Sequence, residues 1–414
     1  MTNQSADTKF RFIPYRKHDI IEMCLQDGLL PGQDNEFRHL CEMLGSIFHF
    51  EFHQIIESLK LCYAPIDPDS DTRRVERIAV APSLNFTELL SDLLQKANYE
   101  RVSETDLNQA LNESSLFRIR LHVNFDDFSE VLLFCRGELV RQETVAQWMG
   151  LVSKTIEFTN YERVVVYIRF KDDYEQSKNE LPSCKPGSTL LKLFQNVPKA
   201  DLEMLFPNTR VRMRVVDKLL IGIPAVVSGG IVLTTKLGAS LVLLGSLFGF
   251  WLGLSSQPVE LNKTALMVLL AGLVALGGYL WKQFNNFKNR KIRFMQTLTQ
   301  NLYFKNLDNN AGVFYRLAND AEEEECKEAI LAYYFLLTSD QPVSKAELDR
   351  TVEQWLATNW NCAIDFEIDD ALKKLQMLKL VQNNNGKLTA IPLMQGIQTL
   401  DQRWVDYLKP SRSN

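Results

Sequence analysis

Hydrophobic positions recur along this chain in three rhythms, and each predicts a different kind of element. Between Phe37 and Leu59 the apolar residues Phe37, Leu40, Leu44, Phe48, Phe52, Ile55 and Leu59 fall three or four apart, one face of a helix. Asn85 and Glu88, three apart, predict the start of a second helix by a capping-box arrangement. From Leu116 to Phe125 the pattern changes to strict alternation. Phe117, Ile119, Leu121, Val123 and Phe125 face one way and Arg118, Arg120, His122 and Asn124 the other, as in a half-buried strand. EVLLFCRG and ERVVVYIRF predict further strands, and Asp172 to Pro186 reads as a polar loop. Residues 1–210 are therefore expected to form an α+β domain, a small sheet with helices on one face.

Helical spacing returns near the C-terminus. AEEEECKEAILAYYFLL predicts a helix whose acidic first turn complements the helix dipole. Ser344 and Glu347 signal a second helix, running to about Thr358, and Ile368, Leu372, Leu375 and Leu378 mark one face of a third. Asn385-Gly386 between short apolar runs is a hairpin turn signal. Three helices followed by a hairpin make residues 320–410 winged-helix-like, joined by connecting helices over 285–319. The third helix would meet DNA with Asp365, Glu367, Asp369 and Asp370, which repel phosphate, and the wing offers only Lys387. This argues against DNA and toward protein contact or plain structural packing.

The third rhythm has no polar face at all. Thr264–Trp281 is bracketed by Lys263 and Lys282 and, as a helix of about 27 Å, approaches the apolar thickness of a bilayer. Leu219–Leu254 is interrupted by Lys236 and weakened early by Pro224 and Ser228-Gly229-Gly230. Arg210, Arg212, Arg214 and Lys218 precede this block; Lys282, Lys288, Arg290, Lys291 and Arg293 follow the last run. Basic residues collect on cytoplasmic flanks, so a two-span hairpin keeps both clusters on one side. The expectation is a transmembrane region over 219–281, with a re-entrant or interfacial segment at 219–235 and spans at about 237–254 and 264–281. Three spans are the alternative. Gly245, Gly249 and Gly253, like Ala271 and Ala275, recur every four residues, a spacing that lets helices pack closely within the hairpin or between copies. No Asp, Glu or His lies within a span, which argues against a transporter.

Composition modifies this picture little. The chain has 414 residues and a net charge of −5. Its seven cysteines form no C-x-x-C pair, so neither a zinc site nor a disulfide framework is expected. The N-terminus has neither a secretory signal nor an Arg-rich presequence. His49, His53 and Glu57 share a helix face at metal-compatible spacing, but with no evident fourth ligand they read as boundary residues. Asp126-Asp127 and Asp172-Asp173 read as solvated loop acids, and Glu322–Glu325 as a solvated helix face. No nucleotide-binding, nucleophile-elbow or zinc-protease motif occurs. No catalytic, cofactor-binding or metal-binding residue is assigned.

Two stretches carry a resemblance. NVPKADLEMLFPNTRVRMRVVDKLLIGIPAVVSGG and RFMQTLTQNLYFKNLDNNAGVFYRLANDAEEEECKEAILAYYFLL resemble the transmembrane protein 143-like family, membrane proteins containing a domain of unknown function. The resemblance implies a membrane protein without an established activity and defines no catalytic residue. Together these readings predict an α+β membrane protein with a winged-helix-like end, placed in a bacterial inner membrane with both termini cytoplasmic. Its partners would be membrane lipids, a protein, and a second copy of the chain. A non-enzymatic, membrane-anchored scaffold or regulator is the expected function. The alternatives are a membrane-bound, metal-dependent enzyme with its site in the N-terminal domain, and an oligomeric pore or lipid-handling protein.

Overall fold

The computed structural model describes residues 10–71, 85–103, 120–147, 152–174, 185–212, 238–253 and 263–407. In chain order the elements are α1 (Lys17–Gln26), α2 (Asp34–Tyr63), α3 (Phe86–Lys96), β1 (Glu100–Arg101), β2 (Arg120–His122), β3 (Phe128–Gln147), β4 (Val152–Phe170), β5 (Thr189–Pro198) and β6 (Arg210–Arg212). There follow α4 (Gly238–Trp251), α5 (Lys263–Lys305), β7 (Asn306–Asn309), α6 (Ala311–Leu337), β8 (Val343–Ser344), α7 (Lys345–Trp360), α8 (Ile368–Met377), β9 (Val381–Asn384), β10 (Lys387–Ala390) and α9 (Leu393–Tyr407). The chain divides into two units. One comprises 1–114, 124–208 and 305–414; the other comprises 115–123 and 209–304.

In the first unit β1, β3, β4, β5 and β7 form an antiparallel sheet in the order β1-β3-β4-β5-β7. Alternation along β5 puts Leu191 and Leu193 fully inside. The stretch Asn306–Asn309 forms β7, the edge strand beside β5. Asn310 makes the corner after it, at φ 49. Its backbone N–H reaches Leu191 O at 2.7 Å, and its side-chain oxygen accepts from Tyr63 at 3.1 Å.

α6 is the axis of this unit. Its C-terminal half, from Cys326 to Tyr334, is buried on every side, and α1, α2, α3 and α8 all pack on the helix. One hydrophobic core joins α1 and α2 from the front of the chain to α6, α7, α8 and α9 from its end. Fully burying a Leu, Ile or Phe contributes about 1.5–3 kcal/mol, so this shared core joins the two ends of the chain strongly.

Helix α6, strand β8, helices α7 and α8 and the hairpin β9–β10 follow one another in the chain, with β8, β10 and β9 forming a three-stranded sheet. Ser344 accepts from the Glu347 N–H while the Glu347 carboxylate accepts from the Ser344 N–H, a complete capping box at the start of α7. Asn385 and Gly386, at φ 55 and 83, turn the wing as an Asn-Gly hairpin requires.

The second unit contains the two-stranded ladder β2–β6 and the helices α4 and α5. Here the expected membrane architecture is overturned: among the described residues no helix is long and apolar enough to cross a membrane. α4 has 14 residues, about 21 Å of helix against the 30 Å of a bilayer core. The run Thr264–Trp281 is not a separate span but the opening of the 43-residue α5, whose remainder carries Lys282, Lys288, Arg290, Lys291 and Arg293. The transmembrane hairpin, the three-span alternative, the reading of the chain as an α+β membrane protein and the inner-membrane location with cytoplasmic termini are corrected accordingly. The chain is a mixed helix and antiparallel-sheet protein. Residues 219–235, read as re-entrant, and 254–262, the end of the first expected span and most of the expected loop 255–263, lie outside the described residues.

Candidate functional site

The densest chemistry lies on α6, where residues 320–328 read Asp-Ala-Glu-Glu-Glu-Glu-Cys-Lys-Glu. Successive helix positions point about 100° apart, so consecutive acids on a surrounded helix meet different neighbours. Asp320 pairs with Arg136 of β3 at 3.2 Å, and Glu322 bonds His49 of α2 at 2.9 Å. The Glu323 carboxylate accepts the first amide of α1, Lys17 N–H, at 2.7 Å. Glu324 accepts from Ile13 N–H at 3.0 Å and from Lys327 Nζ at 2.8 Å. Lys327 also donates to the carbonyls of Ile13 at 2.6 Å and Tyr15 at 3.0 Å. Glu325 forms an ion pair with Lys374 of α8 at 2.9 Å, and Lys374 reaches Glu51 at 3.0 Å. Glu51 in turn accepts from the Tyr407 hydroxyl at 2.7 Å. Glu328 accepts from the Asn98 amide at 2.9 Å.

Glu324, Glu325, Lys327 and Glu328 are all buried. The expected solvated face is therefore an internal polar axis, with a different element held on each side.

Burial sets the electrostatics of this axis. It pushes the Glu328 carboxyl well above the usual range, and the nearby Glu324, Glu325 and Asp370 add to the rise, against the bond from Asn98. Burial also raises Glu325, with Lys374 opposing. At Glu51 burial acts in the same direction, but Tyr407 and Lys374 outweigh it and the carboxyl is lowered. Lys374, though burial disfavours its charge, is raised by Glu325 and Glu51.

Beside Glu328, a cavity of about 390 Å³ is lined by Arg11, Gln95, Asn98, Tyr99, Glu367 and Asp370, among others. Arg11 bridges Glu100 and Glu367 there. It is carried by a segment whose Phe10 makes backbone bonds to Ala363 and Asp365. Burial raises the Tyr99 phenol to about 12, and among the described residues its hydroxyl has no hydrogen-bond partner. Among the lining residues no nucleophile stands against a base, so the cavity can hold a small polar group but carries no evident reaction.

The residues singled out from the sequence are dispersed. Gly245 and Gly249 lie on α4, where an added β-carbon would meet nothing within 4 Å, so no backbone approaches them closely among the described residues. Gly253, at φ 71, terminates α4 in a left-handed conformation. Ala271 and Ala275 lie on α5, with Ala271 exposed. Arg210 and Arg212 belong to β6, while Arg214 and Lys218 lie outside the described residues. Lys282, Lys288, Arg290, Lys291 and Arg293 run along α5, where Lys282 and Lys288 are exposed.

His49 is engaged by Glu322 and Glu57 by Lys60 at 2.8 Å, while His53 is exposed. Asp127 accepts from Asn124 at 2.6 Å and Asn208 at 2.8 Å, which makes it a loop anchor. Among the described residues no three His, Cys, Asp or Glu side chains are grouped to hold a metal ion. Six cysteines (Cys24, Cys41, Cys62, Cys135, Cys326 and Cys362) are free and buried, and Cys184 lies outside the described residues. Sequence reasoning missed Asn98, Arg136 and Lys327. Only the Glu324–Lys327 spacing of three was a local signal for any of them.

No solved structure matches the chain. The match to known families names no transmembrane protein 143-like family, stops at residue 312, and so leaves the acidic run of α6 and the segment from β8 to β10 outside it. What the chain carries, over residues 161–312, is a domain described as "Protein of unknown function (DUF3754)".

Proposed function

We propose that this is a non-enzymatic regulatory or scaffold protein that engages a protein partner through its C-terminal winged-helix segment. The observation that carries the reading is the use of the charged groups on α6. Asp320 and the acids of 322–325 and 328 each hold another element of the same unit, an architectural use of ionisable groups rather than a catalytic one. The partner face would lie around the wing, where Met377 and Met394 are 53% and 58% exposed. Adaptable, unbranched methionines suit contact with another protein. The acidic side chains of α8, Asp369 and Asp370, favour a basic partner surface over a nucleic acid. Affinity purification of the full chain from its source cells should recover the same protein with wild type and lose it with M377D/M394D, at unchanged thermal midpoint. A turnover detected in a substrate screen, with no partner sensitive to these substitutions, would overturn the reading.

Self-association is a second reading, favoured by one stripe. Met267, Leu270, Val274, Trp281 and Phe284 are all exposed on α5 and fit a three-four spacing with Gly277 between them, the seam on which helices pair. Sedimentation that stays monomeric across a hundredfold concentration range would remove it.

A further inference from the structure

A groove of about 630 Å³ in the first unit lies between one face of α1 and one face of α2, closed on a further side by Trp404 of α9. Its volume is in the range of small-molecule sites. Lys17, the first residue of α1, reaches across it. Gly45, in the middle of the 30-residue α2, makes room: a β-carbon there would stand 3.2 Å from Lys17 Nζ and 3.8 Å from Cε. Glycine inside a helix costs about 1 kcal/mol relative to alanine, and here it leaves the Lys17 side chain room.

Three of the four acids around Lys17 are held by other groups. Arg38 holds Glu22 through both guanidinium nitrogens. Glu322 is occupied by His49, and Glu323 by the backbone N–H of Lys17. Ser46 donates its hydroxyl to the Glu42 carbonyl at 2.9 Å, and the Glu42 carboxylate lies at the exposed rim. Lys17 is half-buried as a residue, and among the described residues its ammonium makes no hydrogen bond or ion pair. Trp404 and Ile21 supply an apolar wall, and His18 stands beside the lysine.

We infer that this groove binds a small apolar monocarboxylate, with its carboxylate on the Lys17 ammonium and its apolar body against Ile21 and Trp404. One uncommitted full cation fits a single negative charge. A phosphate monoester carries about two negative charges, more than the one uncommitted ammonium matches. The site is independent of the proposed partner face and stands or falls separately.

Octanoate titrated into the full chain by calorimetry tests the assignment. Wild type should bind it, Lys17→Arg should retain binding, and Lys17→Met should weaken it at least tenfold with an unchanged thermal midpoint. Ser46→Glu, which places a carboxylate in the groove, should weaken it as well. Octylamine, of the same length and opposite charge, should bind at least tenfold more weakly than octanoate. The inference is overturned if octanoate fails to bind wild type at millimolar concentration, if Lys17→Met binds it as tightly, or if octylamine binds as well.

Discussion

Two helices, separated in the chain by the five residues 306–310 that include β7, reverse the usual relation between hydropathy and burial. α5 begins with the most apolar run of the described residues, yet Leu266, Met267, Leu270, Val274 and Trp281 are each more than half exposed. α6 carries the densest charge, yet Glu324, Glu325, Lys327 and Glu328 are each at most 4% exposed. The contrast teaches that what decides burial is whether neighbours exist to meet a side chain. An apolar side chain is buried only where another element lies on it. A charge can be buried where a countercharge or hydrogen-bond donor comes with that element.

The sharpest way to break this comparison is to remove the cation inside α6. Lys327→Met leaves Glu324 buried without its ammonium and two carbonyls, of Ile13 and Tyr15, without a donor. Truncating one partner of a buried pair costs about 3–5 kcal/mol. Urea unfolding should show that loss, and a second substitution, Glu324→Gln, should recover part of it because the uncompensated charge is gone. Equal losses from the single and double variants would mean that the pair is not the source of the cost.

Glu328 tests the same point with a proton. Burial, reinforced by Glu324, Glu325 and Asp370, raises its carboxyl in the folded state, so the fold binds that proton more tightly than the unfolded chain does. Its contribution to stability is complete below the ordinary carboxylate range and is lost as pH rises through the raised folded value. Glu328→Gln keeps an oxygen for Asn98 and removes the charge. At pH 8 the variant should be the more stable, by about 1–3 kcal/mol, the range for a desolvated polar group short of partners. At pH 4 the two should unfold together. A gain of the same size at both pH values would show that the charge is not responsible.

These residues also mark where the sequence was readable. The helix and strand signals around Phe37–Leu59, Asn85, EVLLFCRG, ERVVVYIRF and Ser344 and the turn signal at Asn385-Gly386 are local, set by periodicity, caps and turns, and each falls within an observed element, at the start of one, or at the turn between two. The acids of α6 were misread because their partners lie as far away as Ile13, more than three hundred residues distant, and no local pattern records that approach. The same holds for Asn310, whose side chain meets Tyr63, and for Arg136, stacked 4.8 Å from the Tyr99 ring. The stretch Thr264–Trp281 was misread for a related reason. Its hydropathy was visible, but not its continuation into a longer charged helix.

An exposed glutamate with a local partner sharpens the contrast between sequence and fold. Glu347 accepts from the Ser344 N–H, and this bond, with the Ser344 hydroxyl and Lys387, holds its carboxyl down at about 2. A lowered folded value means that the stabilisation is present above the ordinary carboxylate range and fades as pH falls toward 2. Ser344→Ala should cost about 1 kcal/mol at neutral pH, the usual worth of an N-cap, and clearly less near pH 2. Thermal unfolding at both pH values gives the answer, and an undiminished cost in acid would detach the cap from the ionised Glu347.

The smallest effect is expected on the other side of the comparison. Leu270 and Val274 are 63% and 69% exposed, so replacing both by glutamine removes little buried area. Surface substitutions of this kind change stability by at most about 0.5 kcal/mol. Chemical unfolding of L270Q/V274Q at low protein concentration should match wild type within that margin. If copies of the chain pair along α5, sedimentation at high concentration should show the variant smaller than wild type, because polar side chains then occupy the seam. A loss of several kcal/mol at low concentration would mean instead that these side chains are covered within a single chain. That result would take away the contrast between an uncovered apolar helix and a covered charged one.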